Sequence, residues 1–89
     1  MDVKTERISL GNGRSVLIDR GDLELVSGFK WYFSKNNGAT CNVKINGKRT
    51  TMSIYHLLMN PPKGLDVDHV NHNRLDNRRS NLRICTRSE

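Results

Sequence analysis

Apolar residues along this chain fall in short alternating runs rather than long helical stripes, which predicts strands and turns more than helices. Ile8 and Leu10 precede a Gly11-Asn12-Gly13 turn, and Val16 with Ile18 resumes the alternation, predicting a hairpin. Asp22 offers an N-cap for a short helix through Leu23, Leu25 and Val26, closed by Gly28. Residues 29–34 carry the clearest strand pattern, with Phe29, Trp31 and Phe33 on one face and Lys30, Tyr32 and Ser34 on the other. After a turn at Asn36-Asn37-Gly38, Cys41, Val43 and Ile45 alternate with Asn42 and Lys44 as far as Asn46-Gly47, a type I′ turn pair. Residues 48–52 return as a third strand, completing a meander with one apolar and one basic face. Ser53 then caps a helix carrying Ile54, Leu57 and Leu58, which Asn60 and Pro61-Pro62 end.

The last third is different in kind. Residues 67–70 read as a short strand, 71–80 as a polar loop of Asn, Asp and Arg, and 81–85 as a second strand with Leu82 and Ile84 apolar. A loop this polar, held between two strands, is more often functional than decorative. The expected class is therefore α+β. A small antiparallel sheet of short hairpins with one or two short helices occupies residues 1–60, a separate motif occupies 61–89, and the two form one compact unit.

Composition narrows the possibilities. Eighty-nine residues with 35% hydrophobic and 6% aromatic content allow only a thin core. Fifteen Lys and Arg against nine Asp and Glu give a formal charge of +6. The acids are unevenly placed: residues 26–64 hold six bases and none of them, and residues 69–88 hold five arginines against Asp76 alone. Such a surface suits a polyanion, although a plain basic domain would share it. Cys41 and Cys85 form no Cys-x-x-Cys pair, so no structural zinc is expected, and free thiols in a reducing cytoplasm are the simpler reading. No apolar run reaches membrane-spanning length, so no membrane partner is expected.

Candidate chemistry concentrates in residues 65–87, LDVDHVNHNRLDNRRSNLRICTR. Asp68 is a hard oxygen donor suited to Mg²⁺ or Mn²⁺, and His69 accepts a proton near neutral pH. Phosphodiester hydrolysis needs both services. Neighbours on a strand point to opposite faces, but at a strand end both can border one site. Asn81 can orient the imidazole through a hydrogen bond. Asp76 and Asn77 are expected to steady the loop through side-chain to backbone bonds.

Asp68-His69-Val70-Asn71, Leu75-Asp76-Asn77-Arg78 and Asn81-Leu82-Arg83 together resemble the phage-type HNH endonucleases, HNH homing endonucleases among them. Tyr55-His56-Leu57-Leu58-Met59-Asn60-Pro61-Pro62 is similar to the helix that leads into that family's motif, and Leu25-Val26-Ser27 with Lys30-Trp31-Tyr32 extends the likeness towards the N-terminus. The resemblance implies that His69 is the general base, that Asp68 ligates a single Mg²⁺ or Mn²⁺, and that Asn81 is the middle Asn holding His69. It further implies a ββα-metal fold, double-stranded DNA as substrate, nicking or cutting to a 5′-phosphate and a 3′-hydroxyl, and a phage- or prophage-encoded protein of the bacterial cytoplasm. The family's last metal ligand lies early on a final helix, and this sequence ends at Glu89, before it, which leaves the motif C-terminally incomplete. The meander with its following helix is more loosely similar to the AP2 DNA-binding domain, which lays such a sheet in the major groove.

The basic residues divide in the same way. Arg74, Arg78, Arg79, Arg83 and Arg87 surround the loop and are expected to clamp phosphates, with Lys44, Lys48 and Arg49 contacting DNA from the sheet and His72 a further phosphate contact. A zinc site from His69-x-x-His72 is the weaker alternative. A nuclease-dead HNH relative that binds DNA or a protein partner, as a small phage regulator or inhibitor would, is the rival to the enzyme.

Overall fold

The computed structural model describes residues 4–86. The first hairpin joins β1 (Thr5–Gly11) to β2 (Arg14–Asp19) and turns Val16 and Ile18 fully inward. A 3-10 turn at Arg20–Asp22 leads into the one-turn helix α1 (Leu23–Val26). Asp22 does not cap that helix through its side chain. Its backbone is already helical at φ −92° and ψ −1°, so the carboxylate is turned away from the helix N–H groups and meets Arg79 instead.

The strand expected from residue 29 begins only at Tyr32. The Phe29 N–H still bonds back to the Val26 carbonyl at 3.2 Å, and the Trp31 indole N–H donates to the same oxygen at 2.9 Å. Two donors on one helix-end carbonyl hold residues 29–31 out of the sheet, leaving β3 as Tyr32–Ser34. β3 pairs with β4 (Gly38–Ile45), and β4 with β5 (Lys48–Ser53), to give the meander the pattern predicts. Asn46 and Gly47 both have positive φ, 51° and 79°, as a type I′ turn requires. Helix α2 (Ile54–Met59) follows and stops where Asn60 turns left-handed at φ 43°, its N–H closing onto the His56 carbonyl.

Beyond Pro61 and Pro62, β6 (Leu65–His69) runs antiparallel to β8 (Leu82–Thr86), with Val67 facing Ile84 and His69 facing Leu82. The intervening polar loop holds the feature that the pattern does not predict. Asp76–Asn77 forms β7, a two-residue strand lying parallel to β2, so that Leu17 pairs with Asp76 and Ile18 with Asn77. A 3-10 turn at Arg79–Asn81 then leads into β8. The fold is α+β, and the described residues form three small sheets ordered β1-β2-β7, β3-β4-β5 and β6-β8.

One core serves all of them. Val16, Ile18, Val26 and Ile54 are fully buried, each contributing on the order of 1.5–3 kcal/mol by its removal from water. Val67 and Leu82 of the last hairpin join the same cluster as Trp31, Ala39 and Cys41. Burial pushes the Cys41 thiol pKa up. Among the described residues no helix is long and apolar enough to cross a membrane.

Candidate functional site

β6 delivers the chemistry. Its alternation sends Val67 and His69 inward and leaves Asp66 and Asp68 half-buried on the other face. At the C-terminal end of the strand, Asp68 and His69 nonetheless border one cleft of about 590 Å³. Asp66 lines it as well, as do Lys35 and Gly38 at the β3–β4 turn and residues 72–75 of the polar loop.

His69 is only 6% exposed and its ring is held on two sides. Tyr55 of α2 meets it edge-on, with ring centroids 5.0 Å apart and planes at 87°. Its Nε2 lies 3.0 Å from Oδ1 of Asn77, which is fully buried. Asn77 Nδ2 in turn donates to the Arg74 carbonyl at 2.9 Å. Asn81, expected against the imidazole, holds the loop instead. Its Oδ1 accepts from the Asn71 N–H, and its Nδ2 donates to Asn71 Oδ1 and to the Asp76 carbonyl. The parallel β2–β7 pairing explains the exchange, because it carries Asn77 inward beneath the ring. Nothing in the sequence announces a two-residue strand inside a polar loop.

Asp76 does steady the loop. Arg78 donates to both its oxygens at 2.7 Å, and Asn71 adds a bond at 3.0 Å. Chiefly through the Arg78 side-chain bond, and against the opposing effect of burial, its carboxyl is held below the ordinary carboxylate value.

Most of the arginines around the motif have acidic partners. Arg83 stands directly across from Asp68 and donates to its Oδ2 through Nε and Nη2, at 3.1 and 2.9 Å. Arg78 is held by Asp76, and Arg79 forms a fork on the buried Asp22, with both bonds at 2.9 Å. The Asp22 bond is also the largest cause of the raised Arg79 pKa. None of these three arginines lines the cleft. Arg74 does, and its guanidinium bonds the Asn36 carbonyl of the β3–β4 turn. His72, left-handed at φ 63°, also lines the cleft. Lys44, Lys48 and Arg49 are exposed on the β4–β5 hairpin, away from the cleft lining, without an ion pair among the described residues. Arg87 lies outside the described residues. The structure thus brings Asp68, His69, His72 and Arg74 to the cleft together with Lys35, Tyr55 and Asp66. Asn77, expected only to steady the loop, does not line the cleft but holds the imidazole that does.

Among the described residues no three His, Cys, Asp or Glu side chains stand close enough together to hold a metal ion. Asp68, beside His69 at the strand end, is a carboxylate placed to serve: Oδ2 is held by Arg83, and Oδ1 carries no bond among the described residues. Asp66 lines the same cleft, with its Oδ1 accepting from the Val67 N–H and standing 3.6 Å from His56 Nε2. Two cleft carboxylates without a third protein donor among the described residues fit a hydrated hard cation that shares its shell with phosphate, and do not fit a protein-caged or structural zinc ion.

An Asp-His pair at a strand end, facing a polar loop that an antiparallel strand returns, defines a site of the HNH nuclease type. Residues 56–89 match the family model described as HNH endonuclease. Over 78 residues the chain is 32% identical to an uncharacterized HNH endonuclease of Acanthamoeba polyphaga mimivirus, covering 85% of this chain and 41% of that protein. The chain therefore spans less than half the length of that relative. No solved structure matches it. Residues 56–89 thus carry an HNH endonuclease motif, and the chain is similar to an HNH endonuclease over most of its own length.

Proposed function

We propose that this chain binds double-stranded DNA and hydrolyses one of its phosphodiester bonds with the help of a single divalent cation, Mg²⁺ or Mn²⁺. The observation that carries this reading is the shared cleft of Asp68 and His69, in which the imidazole is clamped by Asn77 and Tyr55. Asp68 would hold the cation, whose chemistry is to stabilise charge on the phosphate and on the leaving oxygen. His69 takes a proton from water, the resulting hydroxide attacks phosphorus, and the P–O3′ bond breaks. The departing 3′ oxygen is protonated from solvent, leaving a 5′-phosphate and a 3′-hydroxyl. Lys35, His72 and Arg74 in the cleft lining meet the phosphate backbone. Lys44, Lys48 and Arg49 supply a second contact from the hairpin. Arg78, Arg79 and Arg83, each partly exposed, add to the positive field, and Asn81 serves by keeping the loop in shape.

A nuclease-dead DNA- or protein-binding module is the second reading. It is favoured by the Arg83 fork on Asp68 and by the lack of a three-ligand cluster among the described residues. A plasmid nicking assay with Mg²⁺ or Mn²⁺ separates the two, using wild type, His69→Gln and Asp68→Asn. Loss of the base should slow nicking by about 10²–10⁴-fold while duplex binding persists. Binding without nicking by the wild type would replace the enzyme by the binding module.

A further inference from the structure

The bonds around Asn77 fix more than the angle of a ring. The Arg74 carbonyl only accepts, so the Asn77 group facing it is the NH₂, and the group facing His69 is the carbonyl oxygen. An amide oxygen also only accepts, so Nε2 of His69 must carry a hydrogen. In the neutral ring that leaves the lone pair on Nδ1. No residue among those described bonds Nδ1, and it is not sealed from solvent, since the Thr40 hydroxyl is the one buried side-chain polar atom among them left without a bond.

The anchor of this relay lies in another sheet. Gly38, at φ +74° in the β3–β4 turn, packs so closely that a Cβ there would stand 2.8 Å from the Arg74 carbonyl oxygen. The Arg74 guanidinium reaches back to the Asn36 carbonyl in the same turn. The meander thus sets where the Arg74 carbonyl points, that carbonyl sets the Asn77 amide, and the amide sets the imidazole.

We infer that Asn77 is the positioning residue for His69, holding it in the Nε2–H tautomer so that Nδ1 is the atom that receives the proton, and that the β3–β4 turn sets this choice through Gly38 and Arg74. The inference builds on the proposed role of His69 as base, but its first test does not need activity. Proton transfer from water to Nδ1 gives an imidazolium whose Nε2–H keeps its bond to Asn77, so the ring need not turn during the reaction.

The test is a long-range ¹H–¹⁵N correlation spectrum of the labelled chain, taken about two pH units above the ordinary imidazole pKa of about 6.5. Among the three histidines, the exposed His56 and His72 are each replaced by Gln, so that the His69 signals are assigned by elimination. The expected pattern is a single Nε2–H tautomer with a slowly exchanging ring proton in the wild type, and a mixture of tautomers in Asn77→Ala and Gly38→Ala. An Nδ1–H or mixed ring in the wild type overturns the inference without any variant. So does an unchanged ring in a folded Asn77→Ala or Gly38→Ala protein. Where nicking is measurable, Gly38→Ala and Asn77→Ala should lower kcat by roughly 10–100-fold with KM unchanged. A pure Nε2–H ring in a protein that never nicks DNA upholds the tautomer and sinks the nuclease reading alone.

Discussion

Lys44 and Arg49 face each other directly across β4 and β5, both exposed, with no acid paired to either among the described residues. Like charges directly opposite destabilise a sheet, and opposite charges stabilise it by about 0.2–1 kcal/mol. Arg49→Glu reverses the sign at one position, so the hairpin should become more stable by about 0.5–1 kcal/mol. For a domain of this size that raises Tm by roughly 2–8 °C. The gain should shrink in high salt, because the pair is exposed. On DNA the same change acts in the opposite direction. Each neutralised phosphate contributes a slope of roughly −0.9 to log K against log salt. Over the fourfold rise from about 50 to 200 mM salt, one lost contact therefore removes about a 3.5-fold share of the salt-induced weakening. Thermal denaturation and a salt titration of duplex binding by fluorescence anisotropy read the two effects side by side. A lower Tm would refute the electrostatic account of the pair. A higher Tm with an unchanged salt slope would show that the hairpin does not touch phosphate.

Two further outcomes follow from ion pairs that sequence alone does not disclose. Asp76 titrates below its unfolded value in the folded chain, so the unfolded state binds the extra proton, and Asp76 stabilises the fold above its unfolded pKa of about 3.9. That stability should be lost as pH falls from about 4 through the lower folded value, and Asp76→Asn should flatten this part of a urea-denaturation profile against pH. An equally steep acid limb in the variant would assign the loss to other carboxylates. Arg79→Ala strands the buried Asp22 carboxylate; breaking a fully buried pair costs about 3–5 kcal/mol, and a half-exposed arginine reduces this to about 1–3 kcal/mol. Adding Asp22→Asn should restore part of the loss in urea denaturation, and a double variant no more stable than Arg79→Ala would mean that the pair is not the cause.

Alternation and turn chemistry made the meander, the first hairpin and α2 legible, because each is decided within ten or so residues. Asn46-Gly47 needs no distant partner to form its turn, and neither does the Asn60 stop before two prolines. What stayed hidden depends on partners far along the chain. The five arginines of the motif looked unopposed because only Asp76 lies among them, yet Arg79 draws its acid from Asp22 and Arg83 from Asp68. Phe29 and Trp31 fit a strand by pattern, but two bonds to the Val26 carbonyl took precedence. The Asp68-His69 pair was visible as chemistry. The side chain beneath the imidazole was not, since a parallel pairing of only two residues, Leu17 with Asp76 and Ile18 with Asn77, places it.

That hidden pairing bears on how the motif works as part of a fold. β6 and β8 alone make a two-stranded ribbon, and such a ribbon is marginal in water without further packing. Its inward residues, Val67 and Leu82, find their cover in α2 and the meander, and His69 finds Tyr55 there. The loop between the strands is fixed at three points by residues before Pro61: at β7 by β2, at Arg79 by Asp22, and at Arg74 by Asn36 and Gly38. Two of the three, at β7 and at Arg79, hold residues that do not line the cleft, yet without them Asn77 has no reason to stay beside His69. The N-terminal sheets therefore do more than carry exposed basic residues. They supply the frame against which a short, polar loop holds an imidazole in one orientation.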